Sequence, residues 1–301
     1  MKLGRLGASV LALMVSVTAL VAPAEATSAP APAPTGATST RPGGPTKFGF
    51  AVWRHVGENY AAALARQSAA LGKPEIIRYF NGANPLVWPV EGGATGNTPL
   101  IYSFKRPPAA VAAGAYDAEI SAWLAKLPTT RRTWIAYEHE MDMKVAHGEY
   151  TAADAKSAFA HVTELIRATG NPKLKATLIL TGFDYAKRLP QFYPGGKYVD
   201  VLGVDTYQWT TESVPQMLST NMAIAASYKK QFGLSEFGLW QGADEARAGY
   251  IKEAVQAADE KMAWMTYFDC DRSATPGDHD WEISDMPASA EAWRTAVAAT
   301  H

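Results

Sequence analysis

The chain has 301 residues, of which 48% are hydrophobic, 11% aromatic and 19% charged, enough apolar material for a large core and too little bias for a disordered or fibrous protein. Its formal charge is −1 and no basic run or stripe appears, which removes the electrostatic case for nucleic acid or an anionic membrane and points to a neutral partner. The single cysteine, Cys270, excludes an intramolecular disulfide and reads as a small buried apolar residue.

Residues 1–26 set Lys2 and Arg5 before a short apolar run and close on Ala24-Glu25-Ala26, the pattern of a secretory signal peptide and too short for a comfortable membrane span. The expected product is secreted and extracellular, with no membrane association once the signal is cleaved. Residues 27–46 read TSAPAPAPTGATSTRPGGPT, with almost nothing to bury, and are expected to be a disordered linker. The folded domain is expected over 47–301.

Within it, a short apolar run, a polar tip and an amphipathic stretch recur, the signature of βα units. Strands are expected at 47–53, 75–82, 99–105, 132–140, 174–182, 198–207, 233–238 and 263–269. Helical patterns lie between them: ENYAAALARQSAAL, YDAEISAWLAKL, TAADAKSAFAHVTELIRATG, SVPQMLSTNMAIAASYKKQF and DEARAGYIKEAVQAADEK, with ASAEAWRTAVAAT closing the chain. Thr151 and Asp154 form a capping-box pattern with Asp in place of Glu, and Gly170 is placed to stop that helix. Residues 84–97 read as a Gly/Pro-rich loop, and 183–197 leave room for only a short helix. Eight such units in about 250 residues match a single-domain (β/α)8 barrel. A doubly wound sheet is the competing arrangement, but RHVGENY after the first strand carries neither G-x-G-x-x-G nor a Walker pattern.

In a barrel the strand tips open on one face, where chemistry is expected. The tips carry Trp53 and His55, Arg78 and Asn81, Ser103 and Lys105, Glu138 and Glu140, Thr181 and Asp184, Asp205 and Tyr207, Glu236, and Tyr267 and Asp269. The fourth strand, TWIAYEHEMD, turns abruptly from apolar to acidic, and side chains two apart share a face, so Glu138 and Glu140 are both expected to lean inward. Glu236 stands alone among Gly, Leu, Ser and Phe. Taken by itself it reads equally as a helix cap or a partner for Arg78; paired with a fourth-strand glutamate it supplies the two carboxyls of glycoside hydrolysis, about 5 Å apart in a retaining enzyme. Trp53, Trp88, Trp209 and Trp240 lie at or after tips, where a flat ring stacks on a sugar or packs into the core; Trp123 and Trp293 sit in helical patterns as core. The six histidines lack H-E-x-x-H or His-x-His spacing, Asp278-His279-Asp280 reads as a solvated loop, and no G-x-S-x-G elbow occurs, so neither a metal nor another cofactor is expected.

His139-Glu140-Met141 ending the fourth strand, VDVLGVDTY at the sixth and LSEFG at the seventh resemble the clan A glycoside hydrolases, most closely glycoside hydrolase family 26, over the whole chain after Lys47. The resemblance implies Glu140 as general acid/base and Glu236 as nucleophile. It also implies that Tyr207 hydrogen-bonds the nucleophile, that His139 binds substrate and that Arg78 supports the nucleophile. Trp53, Trp209, Trp240 and Lys105 complete the expected substrate-binding set, on a polysaccharide or oligosaccharide with β-mannan first, in a monomer. The sequence departs from the family after the motif, where DMKVAHGEY has Asp142 in the Asn position and no tryptophan, and at the eighth strand, which offers Tyr267 or Phe268 in place of tryptophan. The competing functional reading is a non-catalytic carbohydrate-binding barrel; a metal-dependent deacetylase ranks third.

Overall fold

The computed structural model describes residues 45–207, 213–258, 262–275 and 278–299. Residues 1–44, holding the expected signal peptide and nearly all of the linker, lie outside the described residues, as does Trp209. All eight expected strands form: β1 (Lys47–Ala51), β2 (Ile76–Asn81), β3 (Leu100–Phe104), β4 (Thr133–Tyr137), β5 (Leu174–Thr181), β6 (Val201–Tyr207), β7 (Gln231–Gly238) and β8 (Trp264–Tyr267). They pair in parallel and in chain order, and β8 returns to β1 to close the barrel. The runs are continuously apolar because a parallel barrel buries both faces of its sheet. β1, β4 and β8 stop short of their expected ends, so Trp53, Glu138, Glu140 and Asp269 stand on loops rather than in the sheet.

The helices are α1 (Tyr60–Leu71), α2 (Pro108–Ala112), α3 (Asp117–Leu124), α4 (Met141–Ala146), α5 (Ala152–Ala168), α6 (Tyr185–Phe192), α7 (Val214–Ser227), α8 (Asp244–Ala258) and α9 (Pro287–Ala298). The six expected patterns and the short α6 are all present; α2 and α4 are additions of one to two turns, too short to show a period. The loop at 84–97 contains only a 3-10 turn, Val90–Gly93. Thr151 Oγ1 caps α5 by accepting from the Asp154 backbone N–H at 3.1 Å. The reciprocal bond of a capping box is missing: the Asp154 carboxylate, one methylene shorter than Glu, takes the Thr151 hydroxyl instead at 2.7 Å. Gly170 ends that segment at φ 66°, left-handed backbone that glycine adopts without a Cβ penalty.

Between sheet and helices lies a continuous apolar layer that includes Trp123 and Trp293, both buried as expected. Inside the barrel, the rings of Trp134 and Trp264 pack tilted at 60°, 4.9 Å apart, among Ile76, Ile101, Ile179 and Val201. A Cβ on Gly233 would fall 2.3 Å from the Trp264 ring, so glycine is needed at that point for the plug to fit. The plug closes the lower barrel and leaves the upper end open.

One irregularity positions the site. In β7, Leu234 pairs with Val204 but Glu236 pairs with Asp205, so Ser235 is an extra residue, a bulge. Ser235 still faces inward and accepts from Trp264 Nε1 at 3.1 Å. Without the bulge, the period of two would turn Glu236 outward.

Candidate active site

A cavity of about 1380 Å³ opens at the C-terminal ends of the strands, above the roughly 1,000 Å³ upper range of small-molecule pockets and roomy enough for several sugar rings. Trp53, Arg78, Lys105, His139, Glu140, Tyr207 and Glu236 all line it. Trp240 does not: its ring lies flat on His279, 3.7 Å away and 9° from parallel, behind the cavity wall, and its carbonyl accepts from Arg247 at 2.7 Å. The expected role of Trp240 as a lining aromatic is therefore corrected. Trp88 also lies elsewhere, under the Arg131 guanidinium at 4.7 Å.

Glu236 is 5% exposed and held on both oxygens. Arg78, on β2 and 1% exposed, donates from Nε at 3.2 Å and Nη2 at 2.9 Å to Oε1, and its Nη1 donates to Ser103 Oγ. Tyr207 Oη donates to Oε2 at 2.9 Å. Burial, then the charge of Glu236, holds the Tyr207 phenol far above the usual range, so it remains a donor. Glu236 is thus the partner of Arg78 and at the same time lines the cavity.

Glu140 differs in every respect. β4 ends at Tyr137, and the chain then passes through left-handed backbone at Glu138 (φ 48°) and Glu140 (φ 56°), an uncommon conformation for residues with a Cβ. The Glu140 N–H is fixed to Ile179 O at 3.0 Å, and the residue begins α4. Its carboxyl accepts no hydrogen bond from the described residues. Burial first, then the charges of Glu236 and Asp142, push it up to about 7, against the smaller pull of Lys105 and Arg78. Glu138 is not inward, as strand alternation had implied: its backbone turn takes it off the cavity wall, where it accepts from Tyr150 Oη at 3.2 Å. Lys105 lies within its electrostatic reach, and burial raises its carboxyl. Arg78, by contrast, is taken by Glu236.

His139, between Glu138 and Glu140 in the chain, lines the cavity with its ring 5.3 Å from that of Phe80. Burial and the nearby charges of Arg78, Lys105 and Lys144 keep its imidazole neutral. Asp142 does not face the cavity: its carboxylate accepts from Thr181 Oγ1 and Thr181 N and from Arg188 Nη1 at 2.7 Å, tying α4 to β5.

Three features escaped the sequence. Asp205, named at a strand tip but given no role, is buried at the cavity floor in side-chain hydrogen-bond contact with Glu236; burial plus the charge of Glu236 keep it protonated, so Asp205 is the donor of that bond. Trp281, on the loop after β8, packs its ring 4.4 Å from that of Tyr207 and lines the cavity with Phe268, supplying an aromatic wall that β8 itself lacks; Tyr267 points into the outer layer instead. That loop is tied down by Asp269, whose buried carboxylate accepts from Ile283 N at 2.6 Å, Ser284 N at 3.0 Å and the Gln67 amide. The signal that could have found Trp281 is weak, a tryptophan between acids with no helical period.

No family model matches the chain. Among solved structures it is similar to a GH26 β-mannanase from Bacteroides ovatus (15% identity, TM-score 0.56, 85% of this chain and 89% of that one). It is also similar to GH26C from a Muricauda species (12%, 0.60, 85% and 86%) and a modular endo-β-1,4-mannanase from Cellulomonas fimi (16%, 0.58, 84% and 70%). The fold is that of glycoside hydrolase family 26. In sequence the chain is 27% identical over 203 residues to endoglucanase H of Acetivibrio thermocellus, an alignment covering 62% of this chain and 21% of that protein. The family 26 fold therefore spans nearly all of the described barrel, while the chain corresponds to about a fifth of its curated relative.

Proposed function

We propose that the protein is a secreted glycoside hydrolase that cleaves a β-linked polysaccharide by double displacement with retention, a β-mannan-type backbone being the first candidate. Residues 1–26 are its cleaved signal and 27–46 a linker ahead of the catalytic barrel. The observation that carries this reading is the division of labour between two glutamates in one cavity: Glu236 accepts three hydrogen bonds from Arg78 and Tyr207, as suits an ionised carboxylate, while Glu140 accepts none from the described residues and holds its proton to about pH 7. The mannanases with this fold and the endoglucanase relative support it.

In the first step the Glu236 carboxylate attacks the anomeric carbon as the bond to the leaving sugar breaks, and Glu140 gives its proton to the departing oxygen. Loss of the Glu236 charge into the covalent ester removes one of the influences that hold Glu140 protonated. Glu140, now a carboxylate, takes a proton from water, whose oxygen attacks the same carbon and frees Glu236. Arg78 and Tyr207 hold the nucleophile in line throughout, and Trp53, Phe268 and Trp281 offer apolar faces to the sugar.

Incubation with a 2-fluoro glycoside inactivator, followed by peptide mapping, is expected to place the label on Glu236. Label on another residue would count against Glu236 as the nucleophile, whereas glycan affinity without product that persists unchanged in Glu140→Ala would mark a non-catalytic carbohydrate-binding barrel.

A further inference from the structure

The near-zero charge of the whole chain hides an uneven distribution at the cavity. Arg78, Arg106, Arg188 and Arg272 line it, and each is ion-paired, to Glu236, Glu119, Asp142 and Asp278 respectively. Lys105 lines it too, is exposed, and has no ion pair or hydrogen bond from its ammonium among the described residues. It stands at the end of β3, next to the β4–α4 segment that carries the acid/base. On the same wall α4 presents Lys144, paired only with Glu149 in a half-exposed contact at 2.9 Å, and the exposed His147 follows. This is the segment where the sequence has no tryptophan. Arg54, at the β1 rim, is the other cavity cation without an ion pair among the described residues.

A free ammonium beside the acid/base works against catalysis by a neutral substrate. Lys105 and Glu140 attract, which favours the carboxylate of a group that must arrive protonated. A substrate anion seated on Lys105 removes that opposition. It also gives the Lys105–Lys144 wall something to bind that a neutral hexose cannot offer.

Resting on the glycosidase reading above, we propose that the substrate is an anionic β-glycan, and that Lys105, flanked by Lys144, binds a carboxylate or sulfate on a sugar next to the scissile bond. The anion then serves twice, in recognition and in keeping Glu140 protonated in the complex.

The test uses matched polymers with the wild-type protein. One pair is β-1,4-mannuronan and its carboxyl-reduced product; the other is sulfated β-mannan and its desulfated form. The expected result is kcat/KM at least tenfold higher on the anionic member of one pair, with the pair that responds naming the anion. That advantage should fall with added salt, shrink toward unity in Lys105→Met and persist in Lys105→Arg, and the alkaline limb of kcat should lie at higher pH on the anionic polymer than on its neutral counterpart. Equal or better cleavage of both neutral members overturns the proposal and leaves the glycosidase standing. If no polymer is cleaved and Glu236 takes no label, the glycosidase reading has failed, and affinity electrophoresis decides the anion site: retardation by the anionic member alone supports it, and retardation by neither or by both equally overturns it.

Discussion

Around Glu236 the barrel supplies donors; around the Glu140 carboxyl the described residues supply none. The first carboxylate is gripped by the buried Arg78 from β2 and the partly buried Tyr207 from β6, both anchored in strands. The second leaves the sheet on left-handed backbone, is fixed through its backbone N–H and carbonyl, and owes its protonated state to exclusion from water and to neighbouring negative charge. One fold thus gives two identical side chains opposite surroundings, three donors from Arg78 and Tyr207 for one and, among the described residues, none for the other. The nucleophile side should consequently respond to the loss of individual bonds, and the acid side to changes in nearby charge.

The largest effect is expected at the proposed nucleophile: Glu236→Ala should lower kcat about 10⁴-fold or more, read with an activated aryl glycoside. Glu140→Gln should cost roughly 10²- to 10⁴-fold on substrates with poor leaving groups. The wild-type kcat/KM should fall as pH rises through about 7, because Glu140 must be protonated to act; this alkaline limb should vanish in the Gln variant. Arg78→Met strands Glu236 without its buried counter-charge and should destabilise the fold by about 3–5 kcal/mol, measurable by urea denaturation. Tyr207→Phe removes one charge-assisted bond and should cost about 10- to 100-fold in kcat with the melting temperature little changed. Smallest is Asp142→Asn, which should move the alkaline limb to lower pH by a fraction of a unit, since one of the charges that raise Glu140 is gone. A Tyr207→Phe variant that shifted the limb instead of lowering kcat, or an Asp142→Asn variant that did the reverse, would erase the contrast between the two sides.

The barrel was readable because all eight strands are apolar on both faces and each ends in a polar tip, a pattern that survives ragged boundaries. Arg78, Glu140, Tyr207 and Glu236 were readable because strand tips in a barrel converge on one mouth. Trp240 was misplaced because sequence proximity to a tip does not say which way a loop side chain turns, and the partner ring it found, His279, lies on another loop. Trp281 was missed for the converse reason: it reaches the cavity only because Asp269, fully buried after β8, gathers the amides of Ile283 and Ser284 and folds the loop back. Glu138 was misassigned because alternation was carried past Tyr137, where the backbone had already left the strand. Charge was read over the whole chain, which concealed the unpaired Lys105.

The bulge at Ser235 gives the site a further property. Whether Glu236 points at Arg78 or out toward the helices depends on the strand absorbing Ser235 as a bulge, as well as on which residue stands at 236. Removing Ser235 would leave Glu236 inward on the plain alternation that follows Gly233 but strip Trp264 Nε1 of its acceptor, whereas straightening the strand with Ser235 kept would turn Glu236 away from the mouth, so the two changes damage the protein in different ways: one unsettles the plug, the other misdirects the carboxylate.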